Sequence, residues 1–250
     1  MLSEEELSKY KEAGLIVAKL REDMLKSIKP GQKLLDIAEK IEGTVMKAGA
    51  RPAFPVNISI NESAAHYTPQ IGDAKTVNDG DLVKIDIGAH IDGYLADMAF
   101  TYCSKKHPLI DASEKALKAG ISVIRPGVTV SEISEAIHNA IDSTGFGPVV
   151  NLSGHGIGRY NFHGDFSVPN IKNESDKVLS EGDVLALEPF VAESAAHVDE
   201  SDPLEIYQFS QRKPVRSVDA RKILDLAEKD FAEVTDGGSA RTTPCRLQSG

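Results

Sequence analysis

Four residues of this 250-residue chain are placed to do metal chemistry: Asp86, Asp97, His155 and Glu188. Asp86 lies in the apolar run Ile85-Asp86-Ile87-Gly88, and Asp97 follows eleven residues later in Ala96-Asp97-Met98. His155 stands between glycines in Gly154-His155-Gly156, and Glu188 lies in Leu187-Glu188-Pro189. Carboxylates in apolar surroundings are costly to keep charged unless paired, neutralised or bound to a cation. Aspartate is also a poor strand former, so two of them within apolar strands need a reason, and metal ligation supplies one. Three oxygen donors and one nitrogen donor suit a pair of hard or borderline divalent ions. Two such ions close together generate hydroxide near neutral pH and polarise a carbonyl or phosphoryl group.

An internal repeat explains how these residues are positioned. Ile28-Lys29-Pro30-Gly31 returns as Ile124-Arg125-Pro126-Gly127, an offset of 96 residues. Pro55-Val56-Asn57-Ile58-Ser59 matches Val149-Val150-Asn151-Leu152-Ser153 at an offset of 94. Asp79-Gly80-Asp81-Leu82-Val83 matches Glu181-Gly182-Asp183-Val184-Leu185 at 102. The apolar spacing predicts a helix over 34–47, with Leu35, Ile37, Ala38 and Ile41 on one face, and a second over 130–144, with Ile133, Ile137 and Ile141. Asn78-Asp79-Gly80-Asp81 reads as a turn before a strand over 82–87, and His90-Ile91-Asp92-Gly93 as a turn into an antiparallel strand over 94–102. Asp86 and Asp97 then lie on neighbouring strands of one hairpin. Two such halves about a pseudo-twofold axis would bring Asp86 and Glu188 face to face in a central cleft.

Composition bounds the rest. With 41% hydrophobic and 26% charged residues the chain has the make-up of a soluble globular protein. The net charge of -10 argues against broad phosphate-backbone contact, and no direct DNA binding is expected. Cys103 and Cys245 form no disulfide framework and no metal motif. The acidic N-terminus is unlike a signal peptide, and no apolar run reaches the ~20 residues of a membrane helix. The expectation is a cytoplasmic protein in a reducing compartment, with no membrane contact. Gly154-His155-Gly156-Ile157-Gly158 lacks the ending of a phosphate loop, and its glycines are read as letting the chain approach a metal. His90, His107, His138 and His197 read as surface or loop residues, and the acidic run 193–205 as a solvated loop or hairpin.

The motif series resembles that of the methionine aminopeptidases with the pita-bread fold. It comprises Ala65-His66-Tyr67-Thr68-Pro69, Asp86, Asp97, Gly154-His155-Gly156-Ile157-Gly158 and Glu188-Pro189-Phe190. Asn57-Ile58-Ser59-Ile60-Asn61-Glu62, and His163 eight residues after His155, resemble the type 2 branch in its short archaeal form. The similarity covers roughly residues 3–230. It implies an α+β pita-bread fold, two pseudo-symmetric α/β halves around a central antiparallel sheet, as one catalytic domain over 1–233. Residues 217–233 resemble the first helix of the type 2 insertion.

The resemblance also implies roles. Asp86 would chelate one metal and Asp97 bridge both, while His155 and Glu188 hold the other. Glu188 would shuttle the proton of the bridging water. His66 and His163 would contact the substrate or its tetrahedral intermediate. Phe54, Phe162 and Phe190 would wall a pocket for the methionine thioether. The cofactors would be two divalent ions, of cobalt, manganese, iron or zinc. The implied reaction is removal of the initiator methionine by a metal-bridging hydroxide. The implied partners are nascent polypeptide N-termini near the ribosome, and the chain is expected to be a monomer.

One departure stands out. The family's fifth ligand, a glutamate on a strand beyond the insertion, has no counterpart in this sequence. The expectation is therefore weak metal binding, with the second ion suffering most, little or no aminopeptidase activity, and a disordered tail over 234–250 that matches no family element. Duplication nominates Asp199 or Glu200 as poor substitutes. Two other functional readings stand beside the first: a proline-specific pita-bread peptidase, and a non-catalytic pita-bread protein that binds ribosomes or RNA.

Overall fold

Helix formation follows the apolar spacing of the sequence. In the computed structural model, which describes residues 1–200, 207–208, 212–234, 240–242 and 244–245, α1 (Glu4–Ser27) buries Ala13, Val17, Leu20 and Met24, a stripe along one side. Helix α2 (Leu34–Lys47) buries Leu34, Ile37, Ala38, Ile41 and Val45. Leu34 holds the inward position expected for Leu35, because the buried stripe starts one residue earlier. Helix α3 (Pro108–Val123) starts with proline in its first turn, where no amide partner is needed, and His107 Nδ1 accepts from the Leu109 amide. Thr129 and Glu132 form a reciprocal capping box at the start of α4 (Val130–Asp142).

The described contacts group into two units. One holds Glu5–Ser104, Arg159–Asn161 and the described residues beyond 202; the other holds Met1–Glu4, Lys105–Gly158 and Phe162–Ser201.

In the first unit β1 (Arg51–Pro52), β2 (Asn57–Ile60), β3 (Val83–Ile91) and β4 (Tyr94–Tyr102) form an antiparallel sheet in which β3 pairs with the other three. Val17, Ile41, Val45, Ile58, Ile85 and Ile87 join its core. Asp92 and Gly93, with φ of 50° and 83°, make the two-residue turn of the β3–β4 hairpin.

The second unit contains β5 (Gly147–Pro148), β6 (Ser153–Ile157), β7 (Ser167–Pro169), β8 (Val184–Ala186) and β9 (Val191–Ala192). Strand β6 lies between β7 and β8, and β5 pairs with β9. Ile133, Ile137 and Ile141 of α4 pack with Ala116, Val168 and Leu179.

The repeat extends to individual hydrogen bonds. The Gly31 amide donates to Val77 O, Val77 N to Gln32 O, and Leu34 N to Lys75 O. In the second unit Gly127 N donates to Leu179 O, Leu179 N to Val128 O, and Val130 N to Lys177 O. These are the same three bonds at offsets of 96 and 102. Gly31 and Gly127 share the left-handed conformation that the turn demands, with φ of 90° and 88°.

The offset of 94 needs correction. Ser59 pairs with Lys84 and His155 with Ala186, so the ladders correspond at 96 and 102, and Ser153 rather than Asn151 is the counterpart of Asn57. Asn151 is held elsewhere: its Nδ2 donates to Val198 O at 2.7 Å and its Oδ1 accepts from Val198 N at 2.9 Å.

A helix, α5 (Val218–Phe231), forms within the 217–233 span. Within the tail expected to be disordered, β11 (Ala232–Val234) pairs with β12 (Ala240–Thr242), and β13 (Pro244–Cys245) pairs with β10 (Tyr207–Gln208). Residues 235–239, 243 and 246–250 lie outside the described residues, as do 201–205 of the acidic run. No described helix is long and apolar enough to cross a membrane.

Candidate metal centre

The β3–β4 register sets the first pair of carboxylates. Gly88 pairs with Asp97, and Asp86 is two residues from Gly88 on the same strand. Opposed residues share a face, as do residues two apart, so Asp86, Gly88 and Asp97 all look to one side of the hairpin. Ile85 and Ile87 fill the other side and are fully buried. Asp86 and Asp97 are half-buried. A Cβ on Gly88 would come within 2.3 Å of Phe54 Cε1, so the missing side chain makes room for the Phe54 ring on the carboxylate face. His66 lies off the sheet and is exposed, in a left-handed conformation with φ of 63°.

The second pair is His155 and Glu188. His155 pairs with Ala186 across β6–β8, and Glu188 lies two residues beyond Ala186. His155 Nε2 is 2.9 Å from Glu188 Oε1. His155 Nδ1 is 3.1 Å from the Gly156 carbonyl, which can only accept, so this contact assigns a proton to Nδ1 and presents Nε2 to Glu188. Phe162 and His163 pack edge-on against the same imidazole, with ring centroids at 5.0 Å and 4.6 Å. Phe190 is half-buried, and its carbonyl accepts from the Val149 amide.

Two sequence readings change. The glycines beside His155 serve packing: a Cβ on Gly154 would meet Ala186 O at 2.3 Å, and one on Gly156 would meet the Phe166 ring at 2.7 Å. They face away from His155, because alternate residues of a strand point to opposite sides. His90 is buried rather than on the surface; its Nδ1 accepts from Gly93 N at 3.1 Å and its ring packs edge-on against Tyr160. A histidine just ahead of an Asp-Gly turn was the available signal.

Sequence reasoning also passed over Lys84, two residues before Asp86 on the same face. Its ammonium donates to the Asn61 carbonyl at 2.8 Å, and burial pulls its pKa down to about 8, against the opposing pull of Glu62.

Each unit therefore gathers donors of the type a divalent cation takes: carboxylates with Phe54 in one, imidazole and carboxylate with Phe162 and His163 in the other. The Metallopeptidase family M24 model matches residues 8–220. This chain belongs to that family. It is 48% identical to a methionine aminopeptidase of Pyrococcus abyssi over 229 residues, 90% of this chain and 78% of that one. The solved methionine aminopeptidase of Thermotoga maritima superposes with a TM-score of 0.71 at 29% identity, covering 77% of this chain and 82% of that chain. A prolidase from Pyrococcus furiosus superposes with a TM-score of 0.64 at 26% identity, but only 56% of that chain is covered. The α+β fold is the pita-bread fold of these M24 proteins, and metallopeptidase membership implies divalent metal.

Proposed function

We propose that this M24 protein removes the N-terminal methionine from polypeptides. The observation that carries the reading is the 48% identity to a methionine aminopeptidase across 90% of the chain. The His155–Glu188 contact and the shared face of Asp86 and Asp97 support it. In this reading Asp86, Asp97, His155 and Glu188 would hold two divalent ions. When bound, these ions supply an activated water and polarise the scissile carbonyl. Cobalt, manganese, iron and zinc all suit the donor set.

The chain's own residues do the rest. Glu188 takes the proton of the attacking water and passes it to the leaving amine. His66 and His163 donate hydrogen bonds to the oxygen that gains charge. Phe54, Phe162 and Phe190 enclose the thioether, and nearby carboxylates hold the free α-amino group, which restricts cleavage to the first residue. The fifth carboxylate of the family is not assigned. Asp199, nominated by duplication, is an exposed side chain 3.6 Å from His197 and makes a poor ligand. The substrates are nascent N-termini near the ribosome, and the protein acts as a cytoplasmic monomer.

The test is release of free methionine from Met-Ala-Ser with each divalent metal, alongside a Gly-Pro dipeptide. Slow methionine release without Gly-Pro cleavage is expected, since the fifth carboxylate is missing. Cleavage of Gly-Pro alone would favour the proline-specific reading, and cleavage of neither would favour a binding protein.

A further inference from the structure

We propose that Tyr67 and Asp73 are positioning residues that hold His66 for reaction. The inference rests on the reading of His66 as a group that contacts the substrate. His66 is a non-glycine residue with φ of 63°, a conformation that persists only where its surroundings impose it. Its neighbour Tyr67 supplies the restraint. The Tyr67 carbonyl accepts from the Ile58 amide at 2.7 Å, and its amide faces Ser59 Oγ at 3.4 Å. Thr68 Oγ1 adds a bond to the Val56 carbonyl at 3.1 Å. These contacts fix the backbone after His66 to β2.

The side chain of Tyr67 fixes the far end of the same loop. Its hydroxyl donates to Asp73 Oδ2 at 2.5 Å, and Asp73 Oδ1 accepts from the Lys75 amide at 2.8 Å. The Lys75 ammonium stacks 3.7 Å from the Tyr67 ring centroid. The ring itself packs against the first-unit core. One phenol thus joins the core, the 73–75 turn and the residue next to His66. With the hydroxyl bond removed, the loop has fewer constraints to oppose the strain at His66, and the imidazole loses its single position.

Three variants separate this role from simple stability. Tyr67→Phe removes only the hydroxyl. Asp73→Asn keeps an oxygen acceptor, whereas Asp73→Ala removes it. With Met-Ala-Ser, Tyr67→Phe and Asp73→Ala are expected to lower kcat by about tenfold or more with KM and bound metal unchanged, and Asp73→Asn to recover most of the loss. In a His66→Ala background Tyr67→Phe should add no further loss. Backbone 15N relaxation supplies a readout that needs no turnover: the His66 amide should be rigid in the parent and Asp73→Asn chains and mobile in the other two. Unchanged relaxation at His66, or losses that simply add to those of His66→Ala, would overturn the proposal. Absence of methionine release by the parent chain would count against the proposed function instead, and the relaxation experiment would still decide the brace.

Discussion

His155 Nε2 and Glu188 Oε1 stand 2.9 Å apart, while the other ring nitrogen of His155 faces the Gly156 carbonyl. With Nδ1 protonated, two lone pairs confront one another across that gap unless a proton or a cation lies between them. This arrangement suits a cation site, and metal entry should displace the proton. Calorimetric titration in two buffers of different ionisation enthalpy should therefore show proton release on binding. Glu188→Gln should reduce both the release and the affinity. Identical heats in the two buffers would contradict this protonation of the pair.

His66→Ala should lower kcat and kcat/KM together and leave metal content unchanged, because His66 is assigned to the reacting substrate and not to the ions. Elemental analysis alongside steady-state kinetics checks it. Loss of metal would make His66 a ligand rather than a substrate contact.

Gly88→Ala should destabilise the fold by about 1–3 kcal/mol, since its methyl would meet Phe54 Cε1 at 2.3 Å. Phe54→Ala should relieve the clash, so the double variant should lose less than the sum of the two. Urea unfolding of all four chains measures the coupling.

Lys84 adds a pH dependence. Its folded pKa of about 8 lies below the usual 10.5, so between these values the unfolded chain binds more protons than the folded one. Stability should therefore rise with pH through that window, and the penalty should be full below about 8. The total is on the order of 3 kcal/mol. Lys84→Met should flatten this part of the profile in chemical denaturation from pH 7 to 10.5. A slope unchanged by the substitution would assign it to other groups.

Much of this architecture was readable from local chemistry. The span of α2 and the strand over 94–102 follow from apolar spacing and from the Asp92-Gly93 turn, because both signals are local. The diagonal of Asp86 and Asp97 follows from the same turn, which fixes the register. Asn151 was misplaced because its short apolar neighbourhood resembles that of Asn57, whereas its position is decided by bonds to Val198, 47 residues away. The role of the glycines beside His155 was hidden for the same reason, since Phe166 and the Ala186 carbonyl that fill their places are not sequence neighbours. The brace from Tyr67 to Asp73 depends on loop geometry that no periodicity encodes.

Metal stoichiometry tests the central claim most directly. Equilibrium dialysis against manganese or cobalt at neutral pH should show one ion held more tightly than the second by the parent chain, which lacks the fifth carboxylate. Asp97→Asn and His155→Ala should each abolish this tighter phase. Full retention of that phase in either variant would show that Asp97 and His155 do not share a metal centre, and the proposed function would lose its chemical basis.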